Sequence, residues 1–476
     1  MVDDSSEYND LEEVSASEIL AKIEKRVPVE YDHVIIVGNL DQDHLNLPIS
    51  RVDRTFYEVV VLKLPEAIKI INSSISIQNS EIMGSINLNC IFLNSVNFNG
   101  TKFYKYADFK GAKFRDTANF RGTLIKEGAA FCGTEFNKGV NFMGTQFGRH
   151  SYFRNAVFDN EALFGGDGTI CGARFEYFAD FKNTKFKGEA YFASAEFKMD
   201  AYFNEGTCFY KKANFRNASF QFDSYFNHVQ FKGEALFDEG ARFTENAFFS
   251  GARFNSDAYF LEVNFFRDAN FVKTEFNGNV YMGMDIRQRK SKFYGTVNFR
   301  KAFFNKGVYL KGADFLGNVV SLSFRGAKFM DPLSQESVCR LAKNLAETNG
   351  NKNEADYHFY REMEAERTQR PWHIRLPEYI FIQRILGYGV HPWLLWAWWF
   401  LFVGIFATIY WIGKGVNGAN QPLDYIWFSI TVAVTPGFAG FQPASGLFQV
   451  VAGLEAIFGT FMWAAFIATF ARKYMR

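Results

Sequence analysis

ADFKGAKFRDT (Ala107–Thr117), ANFRGTLIKEG (Ala118–Gly128), AAFCGTEFNKG (Ala129–Gly139), VNFMGTQFGRH (Val140–His150) and SYFRNAVFDNE (Ser151–Glu161) follow one another without a break, and the pattern resumes as ADFKNTKFKGE (Ala179–Glu189) and AYFASAEFKMD (Ala190–Asp200). A Phe returns after five residues, then after six, down to Phe329. Residues five apart on an α-helix lie about 140° apart, so these Phe cannot form one apolar stripe. Gly111, Gly122, Gly133 and Gly144 recur in phase and would weaken a helix further. A straight strand fails too, because an odd step puts successive Phe on opposite faces. The pattern works if the chain turns a corner about every five residues. Each short side then points its central Phe inward, together with the small residue two positions earlier (Ala107, Ala112, Ala118). Polar residues fall outside and at the corners, where Gly, Asn and Asp tolerate turn dihedrals. The prediction is a four-sided solenoid with about 22 residues per coil. Coils stacked at about 4.8 Å make roughly 12 turns and a rod on the order of 55–60 Å long.

The A-x-F-x-x-A/T-x-F spacing resembles pentapeptide-repeat proteins over about Ile70–Phe329, with slips at Gly165–Gly172, after Phe209 and at Gly283–Ser291. The resemblance implies a right-handed quadrilateral β-helix. Ile75, Ile77, Ile82 and Leu88 suggest earlier coils with aliphatic centres, and His33–Leu47 looks like the first capping coil.

Composition narrows the function. The chain has 476 residues, 57 of them Phe, and a net charge of +1. That balance gives no electrostatic case for nucleic acid and argues against the DNA-mimicking role of some pentapeptide-repeat proteins. The first 18 residues carry seven acidic and no basic side chains, the composition of a solvated, disordered tail and the opposite of a secretory signal. The N-terminal rod is therefore expected in the cytoplasm. The five Cys show no metal or redox spacing, the seven His form no metal pattern, and no nucleophile–base pair or phosphate loop points to an enzyme or a cofactor.

Beyond Phe329 the Phe ladder stops. Ser334–Gly350 and Asn353–Arg370 are rich in helix formers, with apolar stripes Val338, Leu341, Leu345 and Ala355, Phe359, Met363. They predict a helical hairpin that caps the open solenoid edge, couples it to the C-terminal segments, or both. Leu376–Leu386 is amphipathic and suits an inner membrane surface. Pro392–Gly413 has no charge and Gly446–Phe470 has one, Glu455; each is long enough to span a bilayer. Arg472, Lys473 and Arg476 come after the second span, whereas Lys414 is the lone basic residue between the two, so both termini are expected in the cytoplasm of a plasma membrane.

Between the spans, Leu423–Thr435 is apolar but too short to cross, and Pro436–Pro443 returns. Non-helical backbone at membrane depth must line a cavity or be buried. This layout over Trp393–Arg472 resembles the two-transmembrane potassium-channel pore family. Aligned without a gap, Thr435, Gly437, Phe438 and Pro443 fall on that family's filter Thr, first filter Gly, filter aromatic and following Pro. The resemblance thus makes Thr435, Pro436, Gly437, Phe438 and Ala439 the selectivity filter and assigns Trp427, Ser429 and Thr431 to the pore helix. It makes Gly459 the gating hinge of the inner helix. The family pattern T-V-G-Y-G-D is here T-P-G-F-A-G: Pro436 lacks an amide N–H, Ala439 replaces a glycine, and Gly440 replaces an Asp. Two selectivities stay open, potassium-preferring and weakly selective for monovalent cations. Glu455 is either a brace behind the filter or a cavity charge that attracts cations.

The expected organisation is an acidic tail with a short helix (1–26), the solenoid (27–330), a hairpin and interfacial helix (331–388) and a two-transmembrane pore domain with a re-entrant loop (389–476). The implied partners are membrane lipid, three further copies in a homotetramer, a permeating K+ or Na+ ion, and an unknown cytoplasmic ligand or protein on the solenoid. A non-conducting, membrane-anchored scaffold is the rival reading.

Overall fold

In a computed structural model, which describes residues 11–166, 168, 171–317, 321–434 and 440–474, the chain divides into two units, Met1–Asn351 and Lys352–Arg476. The first unit is a β-solenoid. Its strands form four ladders of 13, 13, 12 and 12 strands, and from Ala67–Ile71 onward successive strands visit the four ladders in rotation. Among the described ladder strands pairing is parallel except where Ile49–Arg51 runs against Ala67–Ile71. In register, Lys102 pairs Leu124, Ala107 pairs Ala129 and Lys113 pairs Glu135, a coil of 22 residues as the 5+6+5+6 spacing requires. Most strands are only two residues long, because the corner comes at once.

The core is apolar and largely aromatic. Phe rings stack along each ladder at one coil's spacing, as Phe158 on Phe186 at 4.8 Å and Phe120 on Phe142 at 5.0 Å. Neighbouring columns meet edge to face, as Phe192 and Phe203 at 5.4 Å and 90°. Such geometry suits the ring quadrupole. Where the small inward residue is Thr, its buried hydroxyl donates to a carbonyl one coil earlier: Thr134 to Phe109 O at 2.7 Å and Thr145 to Phe120 O at 2.6 Å. Thr therefore adds a cross-coil hydrogen bond where Ala adds only volume.

The strand Glu12–Ser15 pairs with Val34–Val37, and α1 (Ala16–Glu24) comes next, burying Ile19, Leu20 and Ile23 against the first coils. Ordered solenoid thus begins inside the stretch whose acidity suggested a tail; alternating Val14 and Ala16 are buried while the acids face out. The first strand of the solenoid is accordingly Glu12–Ser15, ahead of His33–Leu47. Residues 52–66 leave the ladder and carry α2 (Phe56–Val60), whose start is closed by a Thr55–Glu58 capping box. Gly111 and Gly133 let this excursion lie on a corner: Arg54 Nη2 donates to Gly111 O at 2.8 Å, and a Cβ on Gly133 would stand 2.3 Å from Leu64 Cδ1. The extra residue near Phe209 sits ahead of it, at Glu205–Gly206, where both φ are positive. At the far end α3 (Pro332–Thr348) lays Val338 and Ala342 on the last coils, and Ser334 Oγ accepts from Val308 N at 2.9 Å. The open edge is thereby covered within the first unit.

The second unit is helical: α4 (Lys352–Gln369), α5 (Trp372–Pro377) continuing as a wider-wound helix over Glu378–Ile385, α6 (Pro392–Gly413), α7 (Pro422–Val434) and α8 (Gly446–Tyr474). α6 and α8 are long and apolar enough to cross a membrane; α7 is apolar but shorter. Trp372, Ile374, Leu376 and Phe381 are exposed.

Candidate pore segment between the apolar helices

α6 and α8 run side by side in opposite directions. At one end Arg472 Nη1 donates to Tyr388 O at 3.0 Å and Lys473 Nζ to Val390 O at 3.3 Å, which holds the end of α8 beside the start of α6. At the other, Val416 pairs Pro443 and Asn417 pairs Gln442 in a short antiparallel bridge. The connection between the helices therefore leaves and returns at one point. α7 starts there, its first turn ordered by Asp424, whose carboxylate accepts from Asn420 N and Gln421 N at 2.8 Å each.

α7 has 13 residues, about 20 Å of helix. It runs between α6 and α8 and buries Tyr425, Phe428, Ser429, Val432 and Ala433. Its far end meets the middle of α8: a Cβ on Gly459 would lie 2.2 Å from Ala433 O. Gly459 is thus a point of close backbone approach, and α8 passes through it as unbroken helix. The sequence assigned this glycine to a hinge; the geometry gives it a packing reason as well.

One polar knot ties the three helices. Glu455, 1% exposed, accepts from Tyr410 Oη of α6 at 2.7 Å and from Ser429 Oγ of α7, and the Ser429 hydroxyl also lies 3.0 Å from Val403 O. Glu455 thus links α6, α7 and α8 through its own carboxylate. Tyr410 is fully buried, edge-on to Phe428 at 5.0 Å. The sequence offered Ser429 and Glu455 separately; their pairing with Tyr410, 45 residues away, needed the fold. Thr431 Oγ1 donates within α7 to Phe428 O at 2.8 Å, and Trp427 is exposed, away from the knot. Thr435, Pro436, Gly437, Phe438 and Ala439 lie outside the described residues.

Opposite Glu455, α8 carries Leu447, Val450, Leu454, Ile457 and Phe461, all exposed in the single chain and spaced three and four apart. Leu423, Ile426 and Val434 of α7 are exposed as well. No group of three or more His, Cys, Asp or Glu side chains suited to a metal ion occurs among the described residues.

The sequence profile of pentapeptide repeats, in nine copies, matches residues 89–131, 98–146 and 239–283. All three stretches belong to the solenoid of the first unit. No curated protein and no solved structure matches the chain.

Proposed function

We propose that this pentapeptide-repeat protein is a homotetrameric channel for monovalent cations, potassium favoured, in a prokaryotic plasma membrane, with the solenoid as its cytoplasmic regulatory domain. The observation that carries the reading is the connection bridged at Val416 and Pro443, whose helix α7 ends halfway along α8. An anchor has no use for an excursion that stops at mid-depth. A helix ending there directs the negative end of its dipole toward the membrane centre, which favours a cation. Carbonyl groups of Thr435–Phe438 would then replace part of the ion's hydration shell. The apolar stripe from Leu447 to Phe461 supplies a face for neighbouring copies, and Glu455 holds α7 from behind. Bending of α8 near Gly459 would gate the pore, and α4 with the exposed α5 would pass the state of the solenoid to it.

The scaffold reading draws on one specific observation, the outward aromatic column Tyr202–Tyr225–Phe248 stacked at 4.9 and 5.1 Å on the solenoid face. Such a column suits a protein partner. The two readings part in planar bilayers. Purified full-length protein with potassium on one side and sodium on the other should carry current with a reversal potential displaced toward potassium. Silent bilayers from a verified tetramer, or a protein that stays monomeric in detergent, would leave the anchored scaffold.

A further inference from the structure

The solenoid carries a cavity of about 240 Å³ lined by Tyr57, Arg154, Asn155, Lys182, Asn183 and Glu205. It lies where the α2 excursion ends. The corner column that holds Gly111 and Gly133 beneath Arg54 and Leu64 continues as Asn155 and Asn183, both left-handed (φ 60° and 54°). Tyr57 of α2 stands over this open part of the corner and faces the Arg154 guanidinium.

The walls are rich in donors. Arg154 is held from beneath: its Nε and Nη2 both donate to Asp180 Oδ2, at 3.2 and 2.7 Å, and the Asp180 side chain is only 5% exposed. That pairing spends two guanidinium N–H groups and orients the rest. Asn183 Nδ2 donates to Asn155 Oδ1 at 2.9 Å, and the Asn155 amide N–H groups have no acceptor among the described residues. Lys182 Nζ lies 5.0 Å from the centre of the Tyr202 ring. The lone lining carboxylate, Glu205, bonds Lys182 Nζ at 3.0 Å, but its side chain is 61% exposed. An ion pair so open to water is weak and readily exchanged. Arg154, oriented by buried Asp180, and Lys182, paired with the exposed Glu205, thus converge with a phenol and an amide on one cavity whose own lining carboxylate is the movable one.

We propose that this cavity binds a small oxyanion, a carboxylate or phosphate group, between Arg154 and Lys182, with Tyr57 and Asn155 as further donors and Glu205 as the internal competitor that the ligand displaces. Charge-assisted bonds to a preoriented guanidinium are the stronger kind. As the input of the regulation proposed above, the site rests on that reading; as a binding site it does not, because occupancy is measured without conduction.

The test is calorimetric titration of the full-length protein in detergent with inorganic phosphate and, separately, with succinate, against chloride as the background ion. Saturable binding of at least one probe is expected, and which one binds distinguishes the two sources of the oxyanion. Arg154→Gln should weaken it at least tenfold and Lys182→Gln severalfold. Glu205→Gln should strengthen it about threefold or more, a change of opposite sign that damaged folding cannot mimic. No saturable binding of either probe, or binding unchanged in both cation variants, overturns the site, as does weaker binding in Glu205→Gln. Bound anion with silent bilayers would retire the channel reading alone; conduction without anion binding would retire this site alone.

Discussion

Phe203 and Met462 are both buried, but for different reasons. Phe203 stacks on Phe181 at 4.8 Å and Phe226 at 4.9 Å, each one full coil away, and meets Phe192 and Phe215, each two coil sides away, edge-on. Met462 shares its cluster with Leu395, Trp399 and Ala433, which come from other helices and no repeat. In the solenoid every contact is written many times over, so the loss of one Phe leaves a local gap in an otherwise uniform column. In the helical unit apolar side chains occur on every face, and the arrangement is set by a few polar or close-packed points: the Glu455 knot, Gly459 against Ala433, and the bridge at Val416.

The largest effect is expected from Phe203→Ala, which should cost about 3–5 kcal/mol in denaturant unfolding of the solenoid. Tyr202→Ala, one residue away but pointing outward, should stay within about 1 kcal/mol. Equal losses would break the view of an inward aromatic column. Glu455→Leu leaves the Tyr410 hydroxyl without its acceptor and should destabilise the helical unit by about 1–3 kcal/mol, with Glu455→Gln retaining part of it, as read by thermal unfolding in detergent. If Leu is tolerated better than Gln, the knot is not what holds α7. Gly459→Val drives side-chain carbons into the Ala433 carbonyl and should cost about 1–3 kcal/mol as α7 and α8 separate; unchanged unfolding with altered gating would favour the hinge over packing. Arg253→Ala removes an exposed pair with Glu275 at 3.0 Å and should change stability by about 0–1 kcal/mol. A last contrast needs no mutation. Burial pushes the Cys90 and Cys132 thiols up to about 12, whereas Cys171 is exposed, so iodoacetamide near pH 8 should label Cys171 and spare the other two in the folded protein.

Much of the solenoid was legible because its rule is local and repeated. The 22-residue register, the inward Phe and the Ala or Thr two positions earlier all come from spacing. The first strand was not, since four residues with acids at its start look like a tail until Val34–Val37 is there to pair with them. Nor was α2, whose use became clear only when Gly111 and Gly133 were seen beneath Arg54 and Leu64. In the candidate pore, length and apolarity marked α6, α7 and α8, and the lone charge in the second span marked Glu455.

The sequence by itself determined the coil, because a period of five and six residues with an inward aromatic has one way to close. It also determined which helices are long and apolar enough to cross a membrane, because that depends only on length and side-chain character along the run. Only the tertiary structure decided that Glu455 faces Tyr410 and Ser429, that α7 stops at the middle of α8, and that Arg154 and Lys182 share a cavity with Tyr57. Those contacts join residues far apart in the chain, and no periodicity records them. They depend on where each helix or coil comes to rest, which the packing of whole elements sets.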